Sequence, residues 1–378
     1  MKLPPLSLYV HVPWCVQKCP YCDFNSHGKK GKIPETEYIQ HLLHDLKADL
    51  EYVQGRKLHS IFIGGGTPSL LSGQAYQYLL AEIEALIGFT DDIEITLEAN
   101  PGTVETDRFK HYVDAGINRI SIGVQSLQQE KLTQLGRIHG KQEALKAATE
   151  AHQAGLNSFN LDLMHGLPGQ TVADALSDLR QAIAMAPPHL SWYQLTIEPN
   201  TQFASKPPTL PQDEVLWDIQ EQGQALLAEH GYHQYEISGY AKSGYQCRHN
   251  LNYWQFGDYL GIGCGAHGKI TLPQQQQILR TVKVKHPRGY MDLSKPYLYQ
   301  SWDVSEADRP FEYFMNVLRL KAPAAKQQFC DYTGLSLNQV AAQISSAVQK
   351  GLLSESQDSW LVTNKGHRYL NDLLELFV

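Results

Sequence analysis

The chain has 378 residues, 42% hydrophobic and 19% charged, with 32 Lys and Arg against 39 Asp and Glu for a formal net charge of −7. Ordinary glycine and proline usage excludes collagen-like and low-complexity chains, and no apolar run approaches the roughly 18 residues that suggest a membrane span. The acidic balance opposes nonspecific binding to nucleic acid or anionic membrane, because it repels phosphate at long range. At ~100–200 residues per domain, two or three folding units are expected. The opening MKLPPLSLYVHVPWC lacks an apolar h-region and is not read as a secretory signal.

In chain order, apolar β-branched runs predict strands over residues 7–12, 60–64, 93–98, 119–124, 158–163 and 190–197. Helical spacing fills the intervals. Tyr38, Leu42, Leu46, Leu50 and Val53 make one stripe, Leu79, Ile83 and Leu86 a second, and Leu176, Leu179 and Ile183 a third. Gly116, Gly155 and Pro187-Pro188 punctuate the units. Six β/α units in series imply a parallel sheet with helical crossovers. The fold class is therefore α/β, a partial (βα)6 barrel of TIM type, with its chemistry at the C-terminal strand ends. Unusual residues fall there: Gly64-Gly65-Gly66-Thr67-Pro68, Glu98-Ala99-Asn100-Pro101, Gln125-Ser126, Asp162 and Glu198-Pro199-Asn200.

Near residue 240 the rhythm stops. Three units are expected: a barrel over 1–240, a Gly-, His- and Tyr-rich connecting segment without a clear helix over 241–305, and a mostly helical C-terminal module over 306–378. The last, with a short strand pair, reads as winged-helix-like. Residues 329–378 carry Lys350, Lys365 and Arg368 against Asp331, Glu355, Asp358, Asp372 and Glu375, a net of −2, so a structural or docking role is favoured over nucleic-acid recognition.

Of six cysteines, Cys15, Cys19 and Cys22 crowd into eight residues as C-x3-C-x2-C on the loop after the first strand, while Cys247, Cys264 and Cys330 are scattered and have no assigned role. A disulfide scaffold suits short secreted chains, so the cluster is read as a metal site in a cytosolic protein. Three thiolates can hold three irons of a 4Fe-4S cluster and leave the fourth iron open. The competing reading is zinc, with His11 or His27 as fourth ligand.

C-x3-C-x2-C on the first βα loop, with GGGTP after the second strand, resembles the radical SAM superfamily. The likeness covers the whole chain. It is nearest to the oxygen-independent coproporphyrinogen oxidase-like branch and, within it, to the heme chaperones of the HemW type. The resemblance implies that S-adenosylmethionine (SAM) chelates the open iron and is reduced by the cluster. It implies SAM contacts at Tyr9, Gly65, Gly66, Thr67, Glu98, Gln125, Arg137 and Asp162. Carboxylates suit ribose hydroxyls and an ammonium, Arg suits a carboxylate, and glycine permits close backbone approach. Trp14 and Tyr21 flank the cysteines and are left unassigned, as is any catalytic residue.

The oxidases of that branch carry a further cysteine two residues after the third cluster ligand. Here that position is Phe24. The HNLNYW run at 249–254 matches a signature associated with heme binding in HemW-type proteins, which implies His249 as a heme ligand and Tyr253 and Trp254 as flat apolar contacts. His267 is a weaker second candidate. Arg280, Lys283, Lys285, His286 and Arg288 form a run without an acid, read by default as a solvated basic face and alternatively as a contact for heme propionates or an acidic membrane surface.

The implied function is that of a heme chaperone that passes heme, as cargo, to hemoproteins such as membrane respiratory enzymes. Its implied partners are an electron donor and a second copy of itself, with no nucleic acid. A cytoplasmic location with transient visits to a membrane is expected. The alternative is radical decarboxylation of coproporphyrinogen III, which Phe24 opposes. Radical modification of RNA or protein is a third reading, opposed by the lack of a basic RNA-binding domain.

Overall fold

A computed structural model of the chain describes residues 1–103, 107–156 and 158–378. Six strands, β1 (Leu6–Val12), β2 (Leu58–Gly65), β3 (Phe89–Ala99), β4 (Arg119–Gln125), β5 (Ser158–His165) and β6 (His189–Gln194), lie side by side in sequence order and all parallel. Helices such as α1 (Glu35–Ala48) and α2 (Gly73–Ile87) cross between them. This is an α/β fold built on a parallel sheet with helical crossovers, and its layering follows from alternation along each strand. Leu8, Val10 and Val12 of β1, Ile61 and Ile63 of β2, and Leu161 and Leu163 of β5 join one aliphatic core with Tyr38, Leu42 and Leu46 of α1. The intervening residues, Ser7, Tyr9, Ser60, Ser121, Asn160, Asp162 and His189, turn to the lumen, where they bond to one another or to neighbouring lumen groups.

Two expectations are corrected at element ends. The stripe through Leu50 and Val53 is not one helix: α1 ends at Ala48, and Leu50–Val53 forms a separate 3-10 turn closed by Gln54 in the left-handed region. The sixth strand stops at Gln194, short of residue 197.

The segment after residue 240 is also more regular than its composition suggests. Short strands β7 (His233–Gln234) and β8 (Gly239–Ala241) pair antiparallel beyond β6. A helix, α3 (Arg248–Trp254), carries the HNLNYW run. Then β9 (Asp258–Gly263) adds parallel to the other side of β1, followed by antiparallel β10 (His267–Leu272), β11 (Gln277–Lys283) and β12 (Leu298–Asp303) in the same sheet. The glycines that hide this pattern are required by packing: a Cβ on Gly261 would lie near the His267 carbonyl, and Gly263 has φ +102 against β1.

The C-terminal module packs α4 (Arg309–Val317), α5 (Lys326–Thr333) and α6 (Ala341–Gln349) around Phe314, Phe329, Trp360 and Phe377. Its sheet has three strands rather than a pair, in the order Ala324–Ala325, Ser359–Val362, Leu353–Glu355, the arrangement of a winged helix. Among the described residues no helix is long and apolar enough to cross a membrane.

The basic run does not form a solvated face. Lys283 is buried between Asp45 (2.6 Å) and Asp49 (2.7 Å), and Arg280 pairs with Glu312. Only Lys285, His286 and Arg288 remain exposed. Removing one partner of a buried ion pair leaves an uncompensated charge, so Lys283→Ala is expected to destabilise the fold by about 3–5 kcal/mol, read from urea unfolding monitored by circular dichroism.

Candidate functional site

The three-cysteine loop leaves the end of β1 and is held from both sides by backbone. Trp14–Cys15 pairs in parallel with His27–Gly28, which closes the loop. On the β2 side, Gly66 N donates to Val12 O and Thr67 N to Trp14 O, both at 2.7 Å. A Cβ on Gly66 would come within 2.5 Å of the Trp14 carbonyl oxygen, and one on Gly65, where φ is +118, within 2.6 Å of the His11 ring. These glycines thus serve first to seat the loop on β2. On the β9 side, the Asn25 amide donates to the Cys264 and Lys285 carbonyls, each at 2.9 Å. His11 completes the clamp: one ring nitrogen bonds the Asn25 carbonyl (2.9 Å) and the other the Tyr9 hydroxyl (3.0 Å). Burial pushes the His11 pKa down to about 4, so the ring is neutral. Asn25 and the structural part played by His11 were not legible in the sequence, because both act through main-chain contacts far apart in the chain.

With both nitrogens committed, His11 has no lone pair for zinc, and His27 sits at 3.3 Å from the Asn25 side chain. Among the described residues no three His, Cys, Asp or Glu side chains gather about a single-ion position. Instead Cys15, Cys19 and Cys22 all border one cavity of about 380 Å³. Thiols spread along a cavity wall suit a cluster in which each iron takes one thiolate. Burial raises the Cys15 and Cys22 thiols, and Arg137 reaches the Cys19 sulfur at 3.6 Å. Phe24 is exposed at the cavity mouth.

The structure brings Gly65, Gly66, Thr67, Glu98, Gln125, Arg137 and Asp162 to that same cavity. Tyr9 is not on its wall; the ring lies behind, stacked on Phe62. Glu98 accepts from Gly65 N at 3.0 Å, and burial, with the nearby Asp162 charge, pushes its pKa up to about 8. Asp162 is likewise raised by burial and is held by Ser121 (3.0 Å) and Asn160 (2.7 Å). Arg137 is fixed by Gly123 O (2.7 Å), and its Nε is buried without a partner. Gln125 has φ +68, uncommon for a non-glycine residue, and accepts from the Tyr193 hydroxyl at 2.7 Å. Two buried carboxyl groups and one guanidinium beside one cavity suit a ligand that carries both a positive group and a carboxylate. The charge layout thus fits SAM.

The HNLNYW residues lie at the opposite end of the barrel. Ser60 and Gly65 are five strand residues apart, roughly 16 Å. His249 is fully buried, with Nδ1 on Ser60 Oγ (3.1 Å), Nε2 on Tyr253 Oη (2.9 Å) and its ring on Phe62. Tyr253 packs on Tyr259, and Trp254 lies under the Arg319 guanidinium. The structure places the motif at the barrel floor, with both nitrogens of His249 hydrogen-bonded. His267 is exposed on β10. Cys264 is buried against the Lys285 carbonyl, Cys247 bonds Glu94, and Cys330 is half-buried in the C-terminal module.

The family model described as Radical SAM superfamily matches residues 9–182, and the HemN C-terminal domain model matches residues 304–369. The protein named heme chaperone HemW from Haemophilus influenzae is 62% identical over all of this chain and 99% of its own length, and that from Escherichia coli is 61% identical with the same coverage. The chain belongs to the HemW family of the radical SAM superfamily. The family likeness persists at distance: HemW from Bacillus subtilis is 32% identical over 98% of this chain and 99% of its own. The solved structure of coproporphyrinogen III oxidase (HemN) from Escherichia coli superimposes with a TM-score of 0.83 over 99% of this chain and 90% of that one, at 22% identity, which shows a shared fold.

Because the loop seat depends on glycine, Gly66→Ala is expected to lower the iron retained after anaerobic reconstitution to about half or less with helical content unchanged, measured by colorimetric iron assay beside far-UV circular dichroism.

Proposed function

We propose that the protein is a heme chaperone that binds heme and delivers it to hemoproteins, membrane respiratory enzymes among them, from a scaffold holding a 4Fe-4S cluster and SAM. The observation that carries the reading is 62% identity across the whole chain to a protein named heme chaperone HemW. Cys15, Cys19 and Cys22 hold one iron each. Glu98 and Asp162 face the positive part of SAM, Arg137 its carboxylate, and Gln125 and Thr67 its remaining polar groups, with Gly65 and Gly66 as backbone wall. Tyr9 acts as a positioning residue by fixing His11 and so the loop. Bound together, the cluster and SAM supply the capacity for one-electron cleavage of the sulfonium. The chain's own residues bind, orient and enclose. His249, Tyr253 and Trp254 anchor the motif helix to the barrel floor, and access of heme to His249 requires that helix to lift. The work is cytosolic, with an external electron donor and a recipient protein as partners.

Phe24 in place of the oxidase cysteine sets this reading above coproporphyrinogen decarboxylation. Hemin titration by absorbance, run beside an anaerobic assay with coproporphyrinogen III, SAM and reductant, tests it. Saturable hemin binding without protoporphyrinogen formation is expected. Enzymatic turnover without hemin binding would reverse the order.

The raised Glu98 carboxyl has a further consequence. Its folded pKa near 8 means that it is protonated at pH 6, and a cationic ligand favours the ionised form. SAM affinity is therefore expected to rise with pH between 6 and 7.5, by up to about tenfold per unit. Isothermal calorimetry in buffers of different ionisation heat should show proton release on binding, and Glu98→Gln should flatten the pH dependence.

A further inference from the structure

Charge is unevenly spread around the cysteine loop. Lys18 lies within the loop, Lys29, Lys30 and Lys32 follow it, and Lys285 and Arg288 come from a segment far along the chain. All six are exposed, and among the described residues none has an ion pair. The two segments touch: the Asn25 amide donates to the Lys285 carbonyl at 2.9 Å, and the His27 and His286 rings meet edge-on with centroids 5.5 Å apart. The Lys29 N–H bonds the Cys15 carbonyl at 2.8 Å and the Lys18 ammonium the Phe24 carbonyl at 3.0 Å, so these cations stand beside the thiols. Over residues 15–33 and 283–291 the one carboxylate is Asp23. The next acids along the chain are engaged elsewhere: Glu35 is bonded by Ser72, Glu37 lies near His41, and Asp292 pairs with Lys295. Six cations against one carboxylate thus gather at one place on a chain of net charge −7.

Inside that basic rim the loop exposes Val16 (40%) and Phe24 (59%). An apolar centre within a polar, charged rim is the anatomy of a protein–protein interface. The surface is built from loops, a short strand pair and a four-residue helix, Pro287–Tyr290, so it lacks the long apolar face by which an amphipathic helix enters lipid. An acidic partner is repelled by the chain as a whole and drawn to this rim, which orients its approach toward the cysteines. A 4Fe-4S cluster on those thiols is reduced by one electron at a time, and that electron arrives from outside the chain. We infer that the basic rim of Lys18, Lys29, Lys30, Lys32, Lys285 and Arg288 docks an acidic one-electron carrier protein over the cysteine loop. The inference rests on the cluster reading above. In the transfer one electron leaves the carrier and the cluster takes it up, with no bond formed or broken. Electron-transfer contacts are small and short-lived, so the charges act chiefly on the rate of encounter.

The probe is a plant-type 2Fe-2S ferredoxin, an acidic low-potential carrier. Anaerobically reconstituted full-length wild type is compared with Lys29→Gln/Lys30→Gln/Lys32→Gln/Lys285→Gln and with the same four positions changed to Arg, each first checked for iron content and circular dichroism. Reduction of the cluster by reduced ferredoxin is followed by stopped-flow absorbance over a salt series, with photoreduced deazaflavin as a small donor that needs no docking. The Gln variant is expected to react with ferredoxin at least about tenfold more slowly at low salt and with a flattened salt dependence. The Arg variant, and every variant with deazaflavin, should match wild type. Equal ferredoxin rates in wild type and Gln variant, equal slowing with both donors, or a wild type reduced by deazaflavin but not by ferredoxin would each overturn the inference and leave the cluster reading intact. A wild type that retains no cluster would overturn the cluster reading as well. Sedimentation with phosphatidylcholine–phosphatidylserine vesicles runs in parallel: vesicle binding lost in the Gln variant while ferredoxin rates stay equal would assign the rim to a membrane surface and equally overturn the inference.

Discussion

The site depends on how closely three backbones approach one another where β1 ends. β1 has parallel neighbours on both sides, β2 and β9, and its loop contains little regular structure of its own. What fixes it is main-chain hydrogen bonding to Gly66 and Thr67 on one flank and the Asn25 amide on the other. A Cβ on Gly66 would strike the Trp14 main chain, and one on Gly265 would meet the Asn25 side-chain amide. The geometry of three thiols on one cavity wall is therefore set by steric exclusion at glycines outside the cysteine motif.

The second organising feature is the division of each strand into an aliphatic face toward the helices and a polar face toward the lumen. Burying apolar area outside the barrel supplies the stability, and the lumen is left for polar groups that must be satisfied locally. A run of bonds from the cavity toward the floor does this for several of them: Asp162 to Asn160, Asn160 to His189, and His189 to Tyr235, at 2.7, 2.7 and 2.8 Å. The HNLNYW helix closes that floor, with Glu94 accepting from the His249 backbone. Polar order in the lumen thus positions the carboxylates that face the cavity at the top while the motif seals the bottom.

Much of this was legible in the sequence. The strand-and-helix rhythm is a local signal, and C-x3-C-x2-C with GGGTP is local too, so the barrel and the cavity wall could be read from spacing. Non-local facts could not. The basic run looked solvated because its counter-charges, Asp45 and Asp49, sit more than 230 residues earlier. The segment after residue 240 looked irregular because glycine at Gly261 and Gly263, forced by strand contacts, breaks the β-branched signature. HNLNYW read as a ligand motif because its chemistry permits that. Its burial follows from Ser60 and Phe62, which belong to a strand nearly 190 residues away.

The proposed site has three thiolates holding the cluster and SAM on the open iron in the cavity beside them. Electron paramagnetic resonance of the anaerobically reconstituted, reduced protein, recorded with and without saturating SAM, tests it most directly. A site of this kind gives a 4Fe-4S signal whose g-values shift when SAM is added. A cluster signal that saturating SAM leaves unchanged would contradict it.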